Sequence, residues 1–227
     1  MSQKYEAFED IYQRAAARHQ GEAMLESLLA QPLDNKALSQ IGDDRWLAAM
    51  TQKIFQSGIN WQVVRNKWPN FEKAFFAFDI EKMLLISDEM WEEKAKDASI
   101  IRNYGKVMTI RENALMMHEA SIEHGSFANM VANWPTTDII GLWAYLKKQG
   151  KRLGGNTGPY SLRIMGKDTF ILSRDVEGYL RNREIITTGR DTQSAWRGAQ
   201  DAFNHWQQES QRPLSQISQV IAYSVNH

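Results

Sequence analysis

LWAYLKKQGKRLGGNTGPYSLRIMGKDTFILSRDV, residues 142–176, is the stretch on which the reading of this chain turns. A helical segment ending in Lys147-Lys148 meets Gly150, a turn runs through Gly154-Gly155, and a second helix starts near Thr157. Glycines in such a turn allow positive φ and leave backbone N–H groups unobstructed. N–H groups at the start of a helix suit a phosphate oxygen, and Lys151 and Arg152 add positive charge at the same point. Taken alone, the pattern also fits an αα-hairpin whose glycines cap a helix while the lysines are solvated.

Outward from the turn the chain reads as helical. Over residues 45–55, Trp46, Leu47, Met50 and Ile54 fall on one face, with Asp43 or Asp44 available as N-cap. Trp196, Ala199, Phe203 and Trp206 repeat this spacing, and a last helix begins at Pro213. Gly58, Trp68-Pro69, Gly125, Trp134-Pro135 and Gly150 punctuate the segments between. Residues 169–172 form the best strand candidate, and a short one. The expected class is all-α. No internal repeat or low-complexity tract interrupts it.

With 227 residues, 43% hydrophobic and 24% charged, the chain has the composition of a globular protein with a real core. It has no cysteine, which excludes disulfides and thiolate zinc sites. The five histidines (His19, His118, His124, His205, His227) are scattered, without metal-ligand spacing. The expectation is no metal and no cofactor. The first residues lack the apolar stretch of a secretory signal and no run is long enough to span a bilayer, so a cytoplasmic location without a membrane partner is expected. The net charge is zero, which argues mildly against nucleic acid. Charge is clustered, however. Lys147, Lys148, Lys151 and Arg152 surround the turn, with Arg163, Lys167 and Arg174 following, while Asp88-Glu89 and Glu92-Glu93 gather acid elsewhere.

Four sets of residues follow one another along the chain. Gln56, Gly58, Ile59 and Trp61 come first; Phe71, Phe75, Phe78 and Asp79 follow; then Ile100-Ile101-Arg102-Asn103 with Lys106, Asn113 and Ala114; and finally Lys147, Lys148, Gln149, Gly150, Gly155, Thr157 and Tyr160. Together, over about residues 40–180, they resemble the 3-methyladenine DNA glycosylase I family of the helix-hairpin-helix DNA glycosylases. That family's segments run Q-x-G-L-S-W, F-x-x-A-F-x-x-F-D, I-I-R-N-x-x-K-I…N-A and K-K-R-G-x-x-x-x-G-x-T-x-x-Y. The resemblance implies the helix-hairpin-helix glycosylase fold, with two helical lobes and a cleft between them. It implies one domain over residues 1–227, in which 1–40 and 190–227 are helical extensions packed on the core 40–180.

The resemblance also assigns roles. Gly150, Lys151, Arg152, Gly154, Gly155 and Thr157 would bind DNA through the hairpin. Gly58 and Ile59 would enter the base stack as the wedge, and Trp61 would be the wall on which a flipped base lies. Lys53, Gln56 and Tyr12 complete the candidate base-binding set. Read without the resemblance, Ile59 and Trp61 are simply core residues. Thr157 stands where superfamily members that form an imine carry lysine, so the implied chemistry is hydrolysis without lyase action.

Three departures from the family pattern matter. Its usual zinc site of two cysteines and two histidines has no counterpart, and helices before Asp34 and after Arg190 are the candidate replacement for that clasp. Its pocket glutamate falls on Lys53, a donor without acceptor capacity; alternatively Lys53 points to solvent and Gln52 or Gln56 has taken over. The superfamily's catalytic aspartate falls on Ser173, with Asp175 two residues on. Asp175 is the candidate catalytic acid, or else an N-cap or a partner of Arg174.

The leading expectation is a monofunctional base-excision glycosylase that acts on an alkylated purine in double-stranded DNA, as a monomer. The rivals are a catalytically inactive damage-recognition module that kept the hairpin, favoured by Lys53 and Ser173, and a helical interaction protein with no nucleic-acid role, favoured by the net charge of zero.

Overall fold

The computed structural model describes residues 5–225, and among these the regular structure is all helical, without a strand. The helices are α1 (Phe8–Arg18), α2 (Glu22–Leu28), α3 (Asn35–Ser39), α4 (Asp43–Gln56) and α5 (Trp61–Ala74). There follow α6 (Ile80–Leu85), α7 (Asp88–Lys96), α8 (Tyr104–His124), α9 (Phe127–Asn133) and α10 (Ile139–Gln149). Last come α11 (Thr157–Ile164), α12 (Arg174–Asn182), α13 (Gln193–Ser210) and α14 (Leu214–Ser224). None is long and apolar enough to cross a membrane. Side-chain caps set many starts: Asp34, Asn60, Asn103 and Ser173 each accept a first-turn N–H of the helix that follows.

The fold divides into two compact units. One comprises the described residues up to Leu33, Pro135–Gly141 and those from Asp168 onward. Here α1 packs on α13 and α14, so the first and last helices come together. Trp196, Ala199, Phe203 and Trp206 are buried as their spacing predicts, and Phe203 stacks on Phe170 with ring centroids 4.2 Å apart. Glu6 ties this unit. Its carboxylate accepts from Arg14 at 2.8 Å and from the Tyr179 hydroxyl at 2.6 Å, and pairs with Arg183 at 2.8 Å. The Arg14 hydrogen bond is the main cause that holds the Glu6 carboxyl below its ordinary pKa. Residues 169–172 are not a strand. Phe170, Ile171 and Leu172 are buried in irregular chain, and the Ile171 N–H donates to Ser218 Oγ at 3.1 Å instead of to a neighbouring strand.

The other unit comprises Asp34–Trp134 and Leu142–Lys167. Its core holds Phe55, Phe71, Phe75, Phe78 and Trp91. Two expectations fail here for identifiable reasons. Trp68-Pro69 does not break the chain, because Pro69 lies inside α5. Trp68 stacks on Phe71 and Phe78 at 5.3 and 5.4 Å and donates its indole N–H to Glu72, which offsets the missing proline N–H. Neither Asp43 nor Asp44 caps α4, whose N-cap is Gly42. Asp43 instead accepts the Phe127 and Ala128 N–H groups, both at 2.9 Å, and so places a carboxylate at the positive end of α9.

The spine of this unit is α8, which packs against α4, α6, α7 and α9. Lys106 and Asn113 stand seven residues apart on it, about two turns, hence on one face. Lys106 is 6% exposed. Its ammonium donates to the carbonyls of Ile54 (2.8 Å), Phe55 (3.2 Å) and Ser57, closing the C-terminal end of α4. Burial pushes the Lys106 pKa down, and the Arg152 charge adds to this. Asn113 is fully buried. Its side-chain oxygen accepts the Lys151 N–H at 2.7 Å, and its amide donates to the Lys151 carbonyl at 3.2 Å. Replacing Asn113 by alanine is expected to cost about 1–3 kcal/mol, the range for stranding buried partners. Denaturant unfolding measures that loss, and faster amide exchange at Lys151 localises it to the turn. Lys106→Met, which keeps the apolar stem but strands the α4 carbonyls, should cost a similar amount.

Candidate functional site

The turn between α10 and α11, residues 150–156, is built by close packing as much as by backbone freedom. Of Gly150, Gly154 and Gly155, only Gly155 takes a positive φ (59°); the other left-handed residue is Arg152 (57°). Gly150 is required for space. A Cβ there would lie 2.6 Å from Leu153 Cδ1 and 2.8 Å from the Leu146 carbonyl. Gly158 sits equally tightly, 2.6 Å from the Leu153 carbonyl. The first N–H groups of α11 do not face outward: Thr157 donates to the Gly154 carbonyl and Gly158 to that of Leu153. Pro159 has no N–H. Any phosphate contact by the backbone falls to turn residues upstream of Thr157.

Lys147, Lys148, Lys151 and Arg152 are all exposed around this turn. Lys151 reaches Glu112 at 3.7 Å, and the Arg152 guanidinium passes over the start of α8 beside Gly105. Lys167 does not belong to the basic face. It is 2% exposed and donates to the carbonyls of Ala132 and Trp134, closing α9 as Lys106 closes α4.

The second cluster is the loop between α4 and α5. After Lys106 ties down the last carbonyls of α4, Gly58 turns left-handed (φ 79°) in open space, Ile59 is half-buried and Asn60 caps α5. Trp61, the first residue of α5, is 55% exposed and so is not a core residue. The Arg65 guanidinium covers its ring, 4.3 Å from the centroid. At the end of α4, Lys53, Gln56 and Ser57 face Asn156, Thr157 and Tyr160 of the hairpin across a cavity of about 350 Å³. Lys53 is half-buried there, with its ammonium 5.7 Å from the centre of the Tyr160 ring, and burial lowers its pKa. Gln56 shares the cavity, and no carboxylate lines it.

Asp175 and Tyr12 belong to the unit that contains the chain ends. Ser173, not Asp175, caps α12, accepting the Val176 N–H at 3.3 Å, and Asp175 lies in the first turn of that helix. Tyr12 is buried on α1. Its hydroxyl donates to Glu26 at 2.6 Å, Arg212 lies over its ring, and burial with this bond pushes its pKa up to about 12. No group of three or more metal-ligating side chains occurs among the described residues; His227 lies outside them.

Sequence reasoning placed Lys106 and Asn113 in a matched segment without assigning them work. The available signal was two polar residues seven apart inside an otherwise apolar helix face. What they hold could be seen only once the chain had folded.

An all-helical protein thus presents an exposed aromatic residue and a basic glycine turn that share one supporting helix. A family model described as methyladenine glycosylase matches residues 36–152, more than half of the chain. The chain belongs to this family. A stretch of 59 residues is 37% identical to DNA-3-methyladenine glycosylase 1 of Escherichia coli (strain K12); it covers 26% of this chain and 32% of that protein, about a third of the relative's length. A crystal structure of a 3-methyladenine DNA glycosylase I aligns at a TM-score of 0.47 and 24% identity, over 66% of this chain and 86% of the other. The 3-methyladenine DNA glycosylase I of Staphylococcus aureus aligns at 0.48 and 22%, over 61% and 80%.

The turn's packing makes a prediction opposite in sign to helix propensity. Alanine is favoured over glycine by about 1 kcal/mol within a helix, yet Gly158→Ala should lower the melting temperature because its methyl meets the Leu153 carbonyl. Gly154→Ala, whose nearest neighbour is the flexible Lys147 side chain at 3.4 Å, should be close to neutral. Thermal unfolding of the two variants checks the difference.

Proposed function

We propose that this protein is a monofunctional DNA glycosylase of base-excision repair, acting as a monomer on double-stranded DNA that contains a damaged purine. The family's description names methyladenine, an alkylated purine, and the wider class for this chain is a damaged purine. The observation that carries this reading is the double hold of α8. Through Asn113 it fixes the basic hairpin turn, and through Lys106 the α4 end that leads to Gly58, Ile59 and Trp61. A phosphate-binding element and a base-handling element are thereby kept in fixed register, as flipping one base out of a duplex demands.

In this reading Gly150, Lys151, Arg152, Gly154, Gly155 and Thr157 form the part that seats the DNA backbone. Ile59 fills the gap left in the stack, with Gly58 allowing close approach. Trp61 stacks on the extruded base, a contact worth about 1–3 kcal/mol, and Gln56 offers both donor and acceptor to the base edge. The N-glycosidic bond then breaks with its electron pair leaving on the base. Water adds to C1′ of the sugar and gives up a proton. No cofactor takes part.

Two measurements test this. Binding to duplex DNA should weaken steeply with salt, with a log–log slope of about −0.9 per neutralised phosphate. Lys151→Ala with Arg152→Ala should lower affinity similarly for all sequences, and equal binding by the double variant at several salt concentrations would remove the hairpin from the account. In single-turnover base release from a panel of alkylated, deaminated and oxidised duplexes, Trp61→Ala should reduce release far more than affinity. A parent protein that binds DNA but releases nothing from the panel is a DNA-binding module instead.

A further inference from the structure

The cavity at the end of α4 has a one-sided chemistry. Lys53 is its one charged side chain, and the others that line it (Gln56, Ser57, Asn156, Thr157 and Tyr160) are amides, hydroxyls and a phenol. No ion pair involving Lys53 occurs among the described residues, and its contact there is the Tyr160 ring face at 5.7 Å. Burial alone lowers its pKa; no charged group contributes, and Tyr160 is the one other titratable group that faces it across the cavity. An ammonium carries three donors and no acceptor, so a half-buried one without a carboxylate partner is poised for an acceptor supplied from outside. A second observation points the same way. The exposed Trp61 ring already carries the Arg65 guanidinium at 4.3 Å, so a π face that would attract a cationic base is engaged by a cation of the protein itself.

We propose that, among damaged purines, this protein selects a neutral purine bearing a carbonyl oxygen, to which Lys53 donates a hydrogen bond, over a purine carrying a positive charge. The inference rests on the glycosylase reading and names the substrate of that same site. The chemistry balances. A neutral base leaves with the bonding pair as an anion, the Lys53 charge stabilises the negative charge that develops on its oxygen, and the proton released as water adds to C1′ ends on the base. A cationic base leaves as a neutral molecule and requires no such partner. In the ground state it is repelled by Lys53 and Arg65.

The test is single-turnover base release from matched duplexes containing hypoxanthine or 8-oxoguanine against 3-methyladenine or 7-methylguanine. Relative to spontaneous loss of the same base from the same duplex, the parent should accelerate release of the oxopurines about tenfold or more beyond its acceleration of the cationic bases, the scale of one charge-assisted hydrogen bond. Lys53→Glu should reverse the order. Release of the oxopurines should fall as pH rises through the lowered Lys53 pKa, and Lys53→Arg, which stays protonated, should abolish that fall. Greater or equal acceleration over spontaneous loss for the cationic bases by the parent, or an unchanged order of these accelerations in Lys53→Glu, overturns the proposal. If no duplex yields free base, the glycosylase reading itself fails, and binding of nucleosides to the full chain decides the remainder. Followed by NMR, inosine (neutral, with a carbonyl) should bind more tightly than 1-methyladenosine (cationic), and Lys53→Met should weaken inosine alone by about tenfold. Equal binding of the two by the parent, or inosine binding unaltered in Lys53→Met, sinks the idea.

Discussion

A buried ammonium and a buried amide inside one helix organise the unit in which the candidate site lies. Lys106 is compensated by carbonyl oxygens at the C-terminal end of α4 and not by a carboxylate. That end is the negative pole of the helix and carries acceptors that no intrahelical N–H can reach. Asn113, two turns on, makes the reciprocal pair of bonds that a backbone segment would otherwise make in a ladder. Around them Val107, Ile110, Ala114 and Met117 are buried, so both polar groups sit where an unmade bond is costly. That cost is what converts a hairpin turn and an interhelical loop, each short and glycine-bearing, into elements of fixed position.

Lysines recur in this role. Lys167 closes α9 on the carbonyls of Ala132 and Trp134, and Lys67 gathers those of Ala98, Ser99 and Ile100. Lys106 and Lys167 are thereby withdrawn from the surface, while Lys67 stays partly exposed. The zero net charge of the chain therefore says little about what its faces present. Lys147, Lys148, Lys151 and Arg152 around the turn are exposed. In the unit holding the chain ends the balance differs: Glu6 is the hub, surrounded by Arg14, Arg183 and the Tyr179 hydroxyl. There α1 packs on α13 and α14 through buried faces, while Glu6 links Arg14 of α1 to Tyr179 of α12.

Much was legible before folding was considered. Apolar spacing alone located α4 and α13, because a helix that buries Trp46 and Met50, or Phe203 and Trp206, must repeat them at the period of its turn. The order of four short motifs led to the family. What was misread shares a cause. Pro69 signals a break locally, and only the Trp68 stack on Phe71 and Phe78 shows why none occurs. Asp43 signals the start of its own helix but serves the start of α9, a partner remote in sequence. Residues 169–172 have strand composition but meet Ser218 instead of another strand.

By itself, then, the sequence determined the helical class, the positions of the long amphipathic helices, the hairpin and the family, since all of these are written in local period and local motif. Only the tertiary structure decided that Trp61 is exposed while Lys167 is buried, that Lys53 shares a cavity with Thr157 and Tyr160, and that α8 supports both the turn and the loop. The reason is physical. Burial and hydrogen-bond partnership are properties of pairs brought together from distant parts of the chain. A lysine has the same letter whether it meets water, a ring or the carbonyls of another helix.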